Sequence, residues 1–176
     1  MKVRNLVFMG ILVAIGTLSA HIAAIPVAGA KVFPVQHAIN VVAGVFLGPG
    51  QAVLVAFGTG LLRNMIGTGT PLAFPGGMIG AFFAGLFYQL SRKAWMASAG
   101  ELLGTGLIGA LVSYPIAQFI LGKPAAALTY VVPFSMSSGV GALLGLGLVV
   151  TLRNTEVARG FLRQTRPVHA DAEHKE

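Results

Sequence analysis

Six apolar blocks, separated by glycine, proline and a few charges, run through residues 5–152 of this chain. A helix that crosses a bilayer needs about 20 mostly apolar residues, because the hydrocarbon core is about 30 Å thick and each residue rises about 1.5 Å. Backbone amides find no water at that depth, so helix is the conformation such runs take. The blocks predict spans over 5–25, 34–48, 51–66, 73–91, 99–121 and 127–152. Only 10% of the 176 residues are charged, against roughly 25% in soluble domains, too few to coat a water-facing surface. The expectation is an all-α membrane protein. A bundle of about six transmembrane helices forms a substrate-binding domain over 1–152, and a basic, mixed-charge tail over 153–176 is solvated, loosely ordered beyond Pro167. The stretch from Met1 to Ala20 is built like a signal peptide, but the apolar run continues through Ile25 and further blocks follow. It reads as a retained first span.

The second and third blocks are short and joined by Gly48-Pro49-Gly50, a turn with no room for a loop. They are either short tilted spans or a re-entrant pair, and in both cases the chain returns to the side it left. Lys2, Arg4, Arg92, Lys93, Arg153, Arg159, Arg163, Arg166 and Lys175 then collect on the side of the two termini, with Lys31, Arg63 and Lys123 opposite. The excess places both termini in the cytoplasm. The net charge of +7 is thereby accounted for by membrane orientation, and nucleic acid is not an expected partner. Cysteine is absent, which excludes disulfides and thiolate chemistry.

Small residues recur every four positions, as in Gly76/Gly80/Ala84, Gly77/Ala81/Gly85 and Gly141/Gly145. Such rows let helices approach closely, which in lipid replaces the hydrophobic drive between them. The first span carries two, Gly10/Ala14 and Gly16/Ala20/Ala24, available either for internal packing or for a partner protein.

On this topology the polar side chains gather toward the outer face: Ser19, His21, His37, Asn40, Arg63, Asn64, Ser113, Tyr114, Gln118, Tyr130, Ser135, Ser137 and Ser138. The inner halves hold little beyond Thr105, and Glu101 sits at the cytoplasmic start of the fifth span. Polar groups in a membrane protein cost free energy unless they face partners or a wet cavity. Their convergence predicts a pocket open to the exterior above an apolar floor, a binding site and not a through-pore. Candidate substrate-binding residues are His37, Asn40, Arg63, Asn64, Phe74, Tyr114, Gln118 and Tyr130. Each has a plainer role: a snorkelling arginine, a His37–Asn40 hydrogen bond one turn apart, interfacial tyrosines. The Gly67–Pro71 stretch and the helix start at Phe74 read as either a lid or a simple capped turn. No catalytic residue and no metal site is expected, because the histidines lack carboxylate or thiolate company.

No nucleotide-binding G-x-x-x-x-G-K-[ST] loop occurs, so uphill transport needs ATP to be used by another subunit. No carboxylate is expected at midplane to relay protons, which leaves a self-sufficient ion-coupled carrier or facilitator as the weaker alternative; sodium held by backbone carbonyls stays open. A membrane enzyme using Ser135, Ser137 or Ser138 with a histidine lacks an orienting acid.

The stretch from Lys31 to Gly50, KVFPVQHAINVVAGVFLGPG, followed from Leu62 to Gly77 by LRNMIGTGTPLAFPGG, resembles the membrane substrate-capture (S) components of energy-coupling-factor transporters. The similarity extends over roughly 5–152, and within that group the chain is most similar to the set assigned to hydroxyethylthiazole, the thiazole precursor of thiamine. The resemblance implies a six-helix subunit of a prokaryotic cytoplasmic membrane that captures a vitamin precursor outside the cell. It would dock, through small residues of its first helix, on a membrane coupling (T) subunit driven by two ATPase subunits. It implies no cofactor of the chain's own. A neutral heteroaromatic alcohol fits a pocket with an aromatic wall and a few hydrogen-bond partners; Arg63 is the misfit, since a cation suits a phosphate or carboxylate better.

Overall fold

The computed structural model describes residues 2–22, 25–27, 30–122, 126 and 128–164. Seven helices and one short hairpin make up the described chain. Helix α1 spans Val3–Ile22, and strands β1 (Ile25–Val27) and β2 (Ala30–Val32) pair antiparallel with Ile25 opposite Val32. Helix α2 spans Pro34–Leu47, α3 Pro49–Met65 and α4 Ala73–Ser91. Helix α5 runs over Ala94–Ile120, α6 over Val131–Leu152 and α7 over Glu156–Gln164.

Proline and glycine set the ends. Pro34 and Pro49 open α2 and α3, where the missing amide hydrogen costs nothing. Gly48 between them holds φ +84°, a left-handed value that glycine adopts without strain. Gly67, at φ +76°, ends α3 by bringing the Thr68 and Gly69 amides back to the Arg63 carbonyl, each at 2.9 Å. Within α5, two wider π-type stretches, Gly104–Gly109 and Ile116–Ile120, flank a regular segment ending at Pro115. Proline cannot donate to the ladder, and such widenings re-satisfy the freed carbonyls.

Four helices, α1, α4, α5 and α6, are long and apolar enough to cross a membrane. Their outward faces are correspondingly greasy: Leu6, Ile11 and Leu18 on α1, Leu107 on α5, and Leu143 on α6 at 71% exposure. That much outward apolar surface belongs in lipid. Helix α2 differs. Thirteen of its 14 residues are buried, since it packs against α1, α3, α4 and α6 at the bundle centre. At about 21 Å it is shorter than the bilayer core, which a helix wrapped in protein can be. For the same reason it tolerates Gln36, His37 and Asn40.

Helices α2 and α4 meet through small residues. A Cβ on Gly44 would lie 2.7 Å from the Gly85 nitrogen, and one on Gly85 would lie 2.5 Å from Pro49 Cα. Backbone is therefore in contact with backbone. One sequence-based expectation changes here. Helix α5 starts at Ala94, five residues before the predicted boundary of 99, so Glu101 lies two turns inside it. Before Pro167 the tail forms α7, which folds back and buries Phe161 against Phe8 with ring centroids 4.9 Å apart, while Arg4 lies over the Phe161 ring and donates to the Gly160 carbonyl at 3.0 Å. An amphipathic helix with alternating Arg and apolar residues gains by covering the bundle's end. Residues beyond Gln164, including Pro167, lie outside the described residues, as does Ala24.

Candidate binding cavity

Six helices and a loop converge at one end of the bundle. The end of α1 supplies Ala20 and His21, the residue before α2 and its first turn Phe33, Gln36 and His37, and the end of α3 Arg63. The loop of Gly67–Thr70, the first turns of α4 and α6, and Thr105 from α5 complete the wall. They enclose a cavity of about 710 Å³, within the range of small-molecule sites. Phe33, Tyr130 and Phe134 give it aromatic surface, and Tyr130 and Phe134 adjoin with centroids 6.1 Å apart.

Arg63 is 2% exposed. Its Nη1 donates to Gln36 Oε1, its Nη2 donates to the Thr68 carbonyl at 3.1 Å, and the guanidinium lies 3.8 Å above the Phe33 ring. It therefore does not snorkel, but is held inside the protein with an edge on the cavity. Asn64 has a supporting part: its Nδ2 donates to the Gly60 carbonyl at 2.8 Å and to the Thr70 carbonyl at 3.2 Å, pinning the loop that forms the rim. The Gly67–Pro71 stretch is thus tied to the end of α3 at both its near and far parts.

Below the cavity lies a buried polar cluster that sequence reasoning missed. Glu101 is fully buried, and its Oε1 accepts from His37 Nδ1 at 2.7 Å and from Asn40 Nδ2 at 3.2 Å. The Thr105 hydroxyl lies 2.8 Å from the same oxygen and 3.0 Å from the Gly76 carbonyl, and Asn40 Nδ2 also reaches the Gly77 carbonyl at 3.1 Å. A carboxylate inside the bundle costs several kcal/mol unless donors surround it, and α2 and α5 provide them. Room for the cluster comes from Gly80, where a Cβ would collide with Thr105 Oγ1 and Glu101. The expectation that the inner halves hold little beyond Thr105, with Glu101 at the start of the fifth span, is corrected accordingly: α5 starts at Ala94, so Glu101 lies two turns inside it and meets His37.

Of the eight candidate residues, the cavity takes in His37, Arg63 and Tyr130. Asn40 stands one layer beneath, bonded to Glu101, and Asn64 behind the rim. Phe74 packs on Phe57 and against Gly60 instead of lining the wall. Tyr114 and Gln118 do not line it either, for they follow the first π-type stretch of α5, beyond Thr105, and Gln118 faces outward. Residues overlooked were Phe33 and Gln36, though both lie in the stretch singled out from Lys31 to Gly50; a glutamine and an aromatic one turn or less from His37 were the available signal.

The two small-residue rows of α1 part company. Gly16 packs on Thr59 and Ile39, and Ala20 lines the cavity, so these two residues are used in internal packing. Gly10 has nothing within 4 Å of a built Cβ, and Gly10 and Ala14 are both exposed. Among the described residues no three of His, Asp and Glu converge as metal ligands.

The chain matches no curated protein and no solved structure. Residues 6–155, which take in helices α2 to α6, nearly all of α1 and every wall of the cavity, match the family model of the thiamine-precursor transporter protein (ThiW). The chain therefore belongs to the ThiW family of thiamine-precursor transporters, membrane proteins that move a small molecule and are not enzymes.

Proposed function

We propose that the chain is the substrate-capture (S) subunit of an energy-coupling-factor importer and that its cargo is the thiazole precursor of thiamine, hydroxyethylthiazole. The observation that carries the reading is the cavity itself, about 710 Å³, walled by aromatic rings and a few hydrogen-bonding groups at one end of the bundle. A ring of thiazole size stacks on Phe134 or Tyr130, with His37 and Arg63 within reach of its polar substituents. Family membership supplies the thiamine connection. The lack of a nucleotide-binding loop in the sequence supports an energy supply from ATPase subunits, joined through a membrane coupling subunit that meets the exposed Gly10/Ala14 face of α1.

Six crossings, with both termini in the cytoplasm, put the cavity on the outer side of a prokaryotic cytoplasmic membrane. The distribution of Lys and Arg supports that orientation. Detergent-purified protein should release a thiazole on denaturation, detected by mass spectrometry. Vesicles holding the chain alone should not accumulate it, whereas vesicles also holding the coupling and ATPase subunits should do so when ATP is inside. Concentrative uptake by the chain alone would overturn the division of labour.

One observation favours the solitary ion-coupled carrier: the His37–Glu101 pair lies within the bundle, where proton relays are built. Uptake by the lone chain that follows an imposed proton gradient, and is lost in E101Q, would establish that reading in place of the first.

A further inference from the structure

Arg63 carries a charge with no acidic partner among the described residues. Among the described residues the one ion pair of the site is His37–Glu101. Of the five acidic residues in the sequence, Glu101 alone lies within helices α1 to α6. Its Oε1 is occupied by His37 and Asn40, and it does not line the cavity. Arg63 meets only neutral acceptors, the Gln36 amide and the Thr68 carbonyl, and its Nε has no partner. A guanidinium has five N–H donors, so hydrogens remain on both Nη atoms after these two bonds. The Phe33 ring covers one face of the group, which leaves the planar edge for a ligand.

A buried cation left in this state is costly, and a planar fork of donors matches a carboxylate or phosphate in two parallel bonds. The rest of the wall agrees. Among the described residues no Asp or Glu lines the cavity, while His21 and His37 do. The rim loop cannot cradle a phosphate itself, because the Thr68 and Gly69 amides are both spent on the Arg63 carbonyl. Recognition of an anion therefore rests on the Arg63 side chain.

We infer that the cavity is built for an acid-bearing ligand, a thiazole carrying a carboxylate or phosphate ester seated on Arg63, in preference to the neutral alcohol. The inference rests on the thiazole-capture reading above and refines its cargo. Detergent-purified full-length protein, freed of endogenous ligand, is titrated calorimetrically with hydroxyethylthiazole, its phosphate monoester and a thiazole carboxylate. At least one anion should bind about 10-fold or more tightly than the alcohol, the gain expected of a desolvated charge-assisted contact. R63Q should bring the affinities together, and R63K should keep part of the preference. Should R63Q fail to fold, the ranking in the native chain decides alone. An alcohol that binds as tightly as both anions overturns the inference and leaves the capture reading standing; failure of all three to bind sinks both. A preference that disappears in nanodiscs when phosphatidylglycerol is added would assign the anion to a lipid headgroup and overturn the cargo assignment.

Discussion

At the scale of single residues, Glu101 organises the site without touching the cavity. It holds His37 by Nδ1, which fixes the ring that faces the ligand, and it holds Asn40 against the Gly77 carbonyl. Replacing Glu101 by Ala strands His37 Nδ1 and leaves Asn40 only its bond to the Gly77 carbonyl, at about 1–3 kcal/mol for each unsatisfied group. The expected result is a melting temperature about 5–10 °C lower in detergent, measured by scanning fluorimetry, with E101Q intermediate because its amide oxygen still accepts. An E101A protein that melts with the wild type would show that the cluster holds nothing in place. His37 and Asn40 were legible as a pair from their spacing on one helix. Their partner was not, because Glu101 is 61 residues beyond Asn40 and meets it only through packing. Arg63 was legible as a functional candidate, and its burial was not: an arginine at a helix end reads alike whether it points at headgroups or into a cavity.

At the scale of elements, the decisive contacts are those without side chains. Gly44 on α2 and Gly85 on α4 leave no room for a methyl group. Overpacking of this kind costs about 1–3 kcal/mol, so G44A and G85A should each melt earlier and yield less monodisperse protein by size-exclusion chromatography. On α1, Gly10→Ala meets open space and should lie within about 0.5 kcal/mol of the native chain. Equal losses for all three would mean that α1, too, is packed at Gly10. The small-residue rows were visible in sequence as seams, but sequence spacing does not tell an inner seam from an outer one. Rotation of α1 about its axis decides it, turning Gly16/Ala20 inward and Gly10/Ala14 out. The hairpin at 25–32 gave no such warning, since Ile25–Val27 reads equally well as the end of a span.

For the whole molecule, four helices suffice to cross a membrane, while α2 and α3 go down and return. In the proposed topology the termini share a side whether those two cross or only enter, so the orientation can be tested without settling their depth. A green fluorescent protein fused after Glu176 should fluoresce. Alkaline phosphatase inserted in the connection between α5 and α6 should be active, and inactive when fused at either terminus. Phosphatase activity at the C-terminus would invert the orientation and turn the cavity toward the cytoplasm.

Sequence alone determined the membrane class and most boundaries of the first six helices: 73–91 coincides with α4, and the other five predicted segments match helices to within about five residues. Those are properties of one segment at a time, set by apolar length and by where proline and glycine interrupt it. Only tertiary structure decided that α2 is wrapped by its neighbours, that Glu101 belongs to His37, and that Arg63 meets no counter-charge among the described residues. Burial and charge balance are sums over every helix that surrounds a point, and no single segment carries that sum.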